Sequence, residues 1–316
     1  MKIKVLILGG SSFAGSSFIN FLIKKKIYKI LATYNSKKNL KKLVFKNNLN
    51  KFKLVKLNLN LKKNTLLKTV KTFKPEFIFD FASVCLVNKS WDDPNYYLRV
   101  NLNSKINLIQ NMNKLTFLKK FIYIGTPEIF GSTPKPVKED CLIFNPSTPY
   151  AISKLAIEQF LMAYQKNYGN KIIIARFSNF YGRGQLEHRL IPKLLKYIKT
   201  NKKFPIHGDG LTKRDFIFDE DFNDAFLRVL KYGKVGKIYH FSTNSFINIK
   251  EIIRIICKRK KVKFENVVYK VDDRKGKDKY YFLNCNKTSK ELKWKPRNDL
   301  TEGLDKTISY YDKNYE

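Results

Sequence analysis

Tyr150 and Lys154 stand four residues apart in Tyr150-Ala151-Ile152-Ser153-Lys154, a spacing that can build a base from a weak acid. Helix positions i and i+4 share a face, so an ammonium can sit near a phenol. A free phenol titrates near about 10, and each unit of depression needs about 1.4 kcal/mol of preferential stabilisation of the phenolate. A neighbouring cation supplies it. The result is a group that takes a proton from a sugar or alcohol hydroxyl near neutral pH while a hydride leaves the same carbon. A Tyr and a Lys four apart also occur on ordinary helix surfaces, so the pair gains meaning only from the elements around it.

Those elements alternate. Apolar runs of strand length lie at 4–8, 29–33, 53–57, 77–81, 121–124 and 172–177, with helical periodicity at 13–26, 61–73, 94–115 and 151–168. Strand and helix in strict alternation imply right-handed crossovers and an α/β chain of Rossmann type, a doubly wound parallel sheet covered on both faces. After about Ser178 the periodicity loosens and turn residues gather at Tyr181-Gly182-Arg183-Gly184 and His207-Gly208-Asp209-Gly210. We therefore expect a first domain over 1–177 and a smaller C-terminal α/β lobe over 178–316, with segments around 216–245 returning to the first. A ligand belongs in the cleft above the carboxyl ends of the strands.

The first strand runs into Gly9-Gly10-Ser11-Ser12-Phe13-Ala14-Gly15 and then a helix. Gly9 permits the tight turn and Gly15 lets helix and strand approach, while the helix start at Ser11, Ser12 and Phe13 offers N–H groups to a pyrophosphate. Ser12 takes the place of the middle glycine of GxxGxxG, narrowing the backbone approach and adding a hydroxyl. An acid after the second strand would mark an unphosphorylated adenosine ribose. The segment Thr33-Tyr34-Asn35-Ser36-Lys37-Lys38 has none, so Asn35, Ser36 and Lys37 favour NADP over NAD. Asn58 at the end of the third strand is placed to bond the adenine, and Leu59 and Ala82 are assigned to the same cofactor.

The formal charge of +37 comes from 63 Lys and Arg against 26 acids, yet only ten are Arg and the excess runs along the whole chain. Nucleic-acid recognition favours clustered Arg, so this pattern is assigned to solvated faces. A positive field would still draw in an anionic sugar nucleotide. Four cysteines and three histidines are dispersed without a CxxC pair, so neither a disulfide framework nor a metal site is expected. No apolar run reaches membrane-spanning length, and the opening strand leads straight into glycines rather than a cleavage site. The expectation is a cytoplasmic protein without a membrane segment.

Taken in order, these motifs resemble the extended short-chain dehydrogenase/reductase family, specifically its NAD(P)-dependent nucleotide-sugar epimerases and dehydratases. The resemblance implies that Thr126, in Phe121-Ile122-Tyr123-Ile124-Gly125-Thr126, hydrogen-bonds the substrate hydroxyl. With Tyr150 and Lys154 it would complete a triad that oxidises a sugar C4 hydroxyl. Glu128 matches the carboxylate that removes the C5 proton in dTDP-glucose 4,6-dehydratases, the group most similar to this chain. GDP-mannose dehydratases and UDP-glucuronate decarboxylases carry a Glu there too, whereas 4-epimerases need none. Pro127 stands where the dTDP-glucose enzymes have an Asp acid.

The same resemblance assigns Asn179, Arg189, Arg214 and Arg274 to the substrate diphosphate and its flanking groups, and Asn101 to the family's usual Asn. One departure is Ala82-Ser83-Val84-Cys85-Leu86-Val87, where the dehydratase pattern reads Ala-Ala-Glu-Ser-His-Val. A homodimer is implied through the helices at 94–115 and 151–168, with Leu155, Leu161 and Tyr164 on the pairing face. The function expected is a nucleotide-sugar 4,6-dehydratase; a 4-epimerase is the alternative, and a non-catalytic dinucleotide-binding protein a further one.

Overall fold

The computed structural model describes residues 2–36, 40, 43–59, 65–169, 171–273, 276 and 278–314. Its first half is built on β1 (Ile3–Leu8), α1 (Phe13–Lys24), β2 (Tyr28–Tyr34), β3 (Lys53–Lys56), α2 (Thr65–Phe73) and β4 (Phe77–Asp80). There follow α3 (Pro94–Leu98), α4 (Ser104–Gln110), β5 (Lys120–Gly125), β6 (Thr133–Val137), α5 (Pro149–Tyr168) and β7 (Ile172–Phe177). The remainder comprises β8 (Asn179–Tyr181), α6 (Leu190–Lys199), β9 (Phe204–His207), β10 (Lys213–Phe218), α7 (Asp219–Tyr232) and β11 (Ile238–Phe241). Last come β12 (Phe246–Asn248), α8 (Ile249–Arg259), α9 (Phe264–Val267), β13 (Val268–Val271), β14 (Tyr281–Leu283), α10 (Asn286–Leu292) and α11 (Leu300–Asn314).

A seven-stranded sheet runs in the order β3-β2-β1-β4-β5-β7-β11 with every neighbour parallel. The expected Rossmann-type architecture is present. Val5 to Leu8 are each fully buried because β1 lies at the centre and both its faces are covered. Val5 and Ile7 join one core with Phe18 of α1 and Phe226 of α7; Leu6 and Leu8 join the other with Leu66, Leu108 and Ile157 of α2, α4 and α5. The strand order reverses between β1 and β4, so a crevice opens there at the carboxyl ends.

The helical periodicity at 94–115 becomes an unbroken helical run over 94–110, followed by a 3-10 turn at Met112–Lys114. Between α3 and α4 the residues Arg99–Asn103 form a π-helical stretch, and Asn101 within it is fully buried. Of the expected helix at 61–73, residues 65–73 are helical, and 61–64 lie outside the described residues. Beyond β7 a third core gathers Leu194 of α6, Phe204 of β9, Ile252 of α8 and Leu304 of α11. Two small pairings matter to the site. β14 lies parallel to β6, bringing Tyr281 next to the segment that follows β5, and β10 lies parallel to β8.

Candidate active site

All carboxyl ends of a parallel sheet share one edge, so Gly9, Asn35, Asn58, Ala82 and Thr126 emerge side by side there. Gly9 has φ of 74°, and an added Cβ would meet the Ala82 backbone at 2.8 Å. A Cβ at Gly15 would press on the Gly9 carbonyl oxygen, so α1 can approach β1 only because that side chain is missing. Ser12 caps α1: its Oγ accepts from Gly15 N at 3.0 Å, leaving the hydroxyl hydrogen to donate elsewhere. The amides of Ser11, Phe13 and Ala14 donate to no group of the chain among the described residues. A helix start with free donors and no side chain in the way fits a dinucleotide pyrophosphate. Asn35 and Ser36 are exposed beyond β2, and Leu59 follows β3; Lys37 lies outside the described residues.

Tyr150 and Lys154 sit in the first turns of α5, which Thr148 caps and Pro149 opens. Both side chains are buried, at 8% and 4% exposure, which removes them from the class of surface pairs. Lys154 Nζ donates to the Ile124 carbonyl at 2.7 Å and lies 4.2 Å from the centre of the Tyr123 ring. Burial, and then the nearby Lys105, push the Lys154 ammonium down to about 7. Tyr150 differs from expectation. Burial, and then Glu128, hold its phenol well above 10, while Arg189 and a hydrogen bond with Thr126 pull it down. Arg189 is a cation that lowers the phenol, while the Lys154 ammonium donates to the Ile124 carbonyl.

Thr126 begins a short 3-10 turn, Pro127–Phe130, and its Oγ1 accepts from Glu128 N at 3.3 Å. That turn places Glu128 beside the pair, where burial above all raises its carboxyl to about 7; Asp278 adds to the rise, and Arg214, Arg189 and Lys154 oppose it. Arg189, Arg214 and Asn179 therefore converge on one space with Glu128 and Tyr150. Arg189 Nη2 reaches Cys85 Sγ at 3.1 Å. The Arg214 guanidinium stacks 4.0 Å from the Tyr281 ring centre and donates to the backbone carbonyls of Asp278 and Lys279. Tyr281 in turn donates to Asn179 Oδ1 at 3.1 Å. Arg274 lies outside the described residues.

The model of the NAD dependent epimerase/dehydratase family matches residues 5–241. The chain belongs to this family. A dTDP-D-glucose 4,6-dehydratase of Bos taurus is 31% identical over 326 residues, covering 99% of this chain and 89% of the relative. A trifunctional UDP-glucose 4,6-dehydratase/UDP-4-keto-6-deoxy-D-glucose 3,5-epimerase/UDP-4-keto-L-rhamnose-reductase of Arabidopsis thaliana is also 31% identical, and this chain, 99% covered, spans 47% of its length. A crystal structure of dTDP-glucose 4,6-dehydratase from Bacillus anthracis in complex with NAD has TM-score 0.88 and 26% identity, with 99% and 97% of the two chains covered.

Within this family member, two expectations from sequence give way. Asn101, expected against substrate, is fully buried and spends its whole amide on the chain. Its Nδ2 donates to Val84 O and Ser153 Oγ, and its Oδ1 accepts from Val84 N and Ser83 Oγ. It ties the loop after β4 to α5. Leu161, expected on a pairing face, is fully buried against the sheet, and Leu155 packs on the Ile129, Phe130 and Leu283 cluster. Tyr164 stacks between Phe160 and Tyr168 along α5.

Sequence reasoning missed a layer of buried charge behind the pair. Arg176 Nε donates to Glu158 Oε2 at 2.8 Å, its Nη1 lies 3.1 Å from His240 Nε2, and Phe130 covers the guanidinium at 5.0 Å. Lys105 pairs with Asp80 at 3.2 Å. The one available signal was Glu158, four residues after Lys154 on the same helix face. Among the described residues no cluster could hold a metal ion, and no helix is long and apolar enough to cross a membrane.

Proposed function

We propose that this chain is a nucleotide-sugar 4,6-dehydratase of dTDP-glucose type, making a 4-keto-6-deoxy sugar nucleotide. Glu128 carries the proposal: a half-buried residue whose carboxyl, withdrawn from water, is raised to about 7, in the short turn that Thr126 caps and in the field of Tyr150. A simple 4-epimerisation has no work for such a group. In the reaction, Thr126 orients the C4 hydroxyl and Tyr150 removes its proton, with Arg189 stabilising the phenolate. When bound, the nicotinamide supplies a reversible hydride store, filled from C4 and emptied at C6. Lys154 holds the nicotinamide ribose through its ammonium. Glu128 takes the C5 proton made acidic by the C4 ketone. Pro127 has no proton to give, so Glu128 then returns that proton to the departing C6 hydroxyl; C5 afterwards takes a proton from solvent relayed by Glu128, balancing the C4 hydroxyl proton that Tyr150 gives up to solvent. A pKa close to the working pH suits a group that must both accept and donate.

Arg214 and Asn179, joined through Tyr281, form the diphosphate side, and the N-terminal sheet and the later lobe divide cofactor from substrate. The Bos taurus and Bacillus anthracis relatives support dTDP as the nucleotide. For the cofactor, the Bacillus relative's NAD supports the unphosphorylated form, while the acid-free Asn35-Ser36 segment supports NADP; we favour NADP, and titration with both dinucleotides decides. A homodimer would use the exposed Ile152 and Tyr168 of α5.

The test is a panel of dTDP-, GDP-, UDP- and CDP-hexoses with products followed by mass. Loss of one water from a single substrate supports the proposal and names the sugar nucleotide. Unchanged mass with an altered C4 configuration makes the chain an epimerase and reduces Glu128 to a bystander.

A further inference from the structure

The wall behind Lys154 contains charge that the steps above do not use. Lys105 on α4 is fully buried, with Nζ 2.7 Å from Ala82 O, 3.4 Å from Asn101 O and 3.2 Å from Asp80 Oδ2. The contact with Asp80 is Coulombic, since Oδ2 accepts no hydrogen bond. Asp80 Oδ1 accepts from Ala82 N at 3.0 Å. Ala82 is thus clamped through both its backbone groups, on the edge where β1 and β4 part and the dinucleotide crevice opens. The same ammonium lies 5.7 Å from the centre of the Tyr123 ring, whose π-system Lys154 also occupies at 4.2 Å.

A buried ion pair is poor currency for stability, because apolar residues of similar volume commonly serve as well. This pair touches the site on two sides, at Ala82 and through Tyr123. We propose that Lys105 is a positioning residue of this active site: paired with Asp80, it clamps the crevice wall at Ala82 and drives Lys154 into its hydrogen bond with the Ile124 carbonyl. The inference rests on the role given above to Lys154 at the cofactor.

The groups facing Lys154 are Asp80 from β4, Cys85 from the loop after it, Lys105 from α4, Tyr123 from β5, Glu128 from the turn after β5, and Glu158 from α5 itself. Asp80, Glu158 and Cys85 favour its charged form, and Lys105 opposes them. Removing the Lys105 charge must therefore keep Lys154 protonated to higher pH.

The experiment measures NAD and NADP binding by calorimetry from pH 6 to 9 for the wild type and Lys105→Met. Wild-type affinity falls as pH rises through about 7, where Lys154 loses its proton. In Lys105→Met the fall moves up by about one pH unit or more. Should Lys105→Met fail to fold with Asp80 left unpaired, the double variant Asp80→Asn/Lys105→Met shows a smaller upward move. Superimposable curves, or a wild-type curve flat with pH, overturn the inference. If no sugar nucleotide loses water, the dehydratase proposal falls, while the binding curves still judge Lys105.

Discussion

Where β1 meets α1 the crevice is shaped by side chains that are missing, at Gly9 and Gly15, and by backbone donors with no partner among the described residues. Where α5 meets β4, β7 and α4 it is backed by side chains that are charged and buried: Lys154 and Glu158, Asp80, Arg176 and Lys105. The first construction is a matter of volume and dipoles, so it is insensitive to pH and intolerant of an added methyl. The second is a matter of charge in low dielectric, so it tolerates shape better than loss of a partner. A cofactor needs a rigid cradle, whereas proton transfer needs groups whose protonation can change.

The contrast can be broken most severely at Tyr150. Tyr150→Phe should lower turnover by about 10²- to 10⁴-fold while dinucleotide affinity, measured by calorimetry, stays within experimental scatter. Next is the charge layer. Arg176→Met leaves Glu158 buried without its cation and should cost about 3–5 kcal/mol in urea unfolding, and the double variant Arg176→Met/Glu158→Met should recover most of that loss. The glycine end should respond to volume alone. Gly15→Ala forces the α1 and β1 backbones apart and should cost about 1–3 kcal/mol, with dinucleotide affinity reduced equally at every pH.

The smallest expected effect sharpens the comparison through pH. Burial raises Glu128 from 4.5 to about 7, so the fold binds its proton more tightly than the unfolded chain does. That stabilisation is complete below pH 4.5 and is lost as pH rises through about 7. Glu128→Gln does not titrate. Its unfolding free energy relative to wild type should therefore improve steadily between these pH values and stay constant outside them.

The glycine turn was legible because its whole logic lies within seven consecutive residues, and the strands because parallel central strands are continuous apolar runs. Tyr150 and Lys154 emerged from local spacing in the same way, whereas Thr126 and Glu128 came from the resemblance to the nucleotide-sugar epimerases and dehydratases. The charge layer did not. Periodicity gives the inward face of α4 and α5 but not which polar groups meet there, and Lys105 finds Ala82 across 23 residues while Arg176 finds His240 across 64. The role of Asn101 was hidden for a related reason: its amide is spent on Ser83, Val84 and Ser153, and residue type alone carries no sign of those partners. Tyr281 reaches Asn179 across 102 residues, a separation that no local pattern spans.

Glu128 is the claim on which the functional assignment turns, and a reaction in deuterium oxide tests it most directly. Wild-type protein with dTDP-glucose should yield a product that has lost one water and gained one deuterium at C5, with kcat rising through about pH 7 as Glu128 ionises. Glu128→Gln should still bind the sugar nucleotide but exchange no deuterium. A C4-inverted sugar of unchanged mass, carrying no deuterium and formed equally well by Glu128→Gln, would contradict the account.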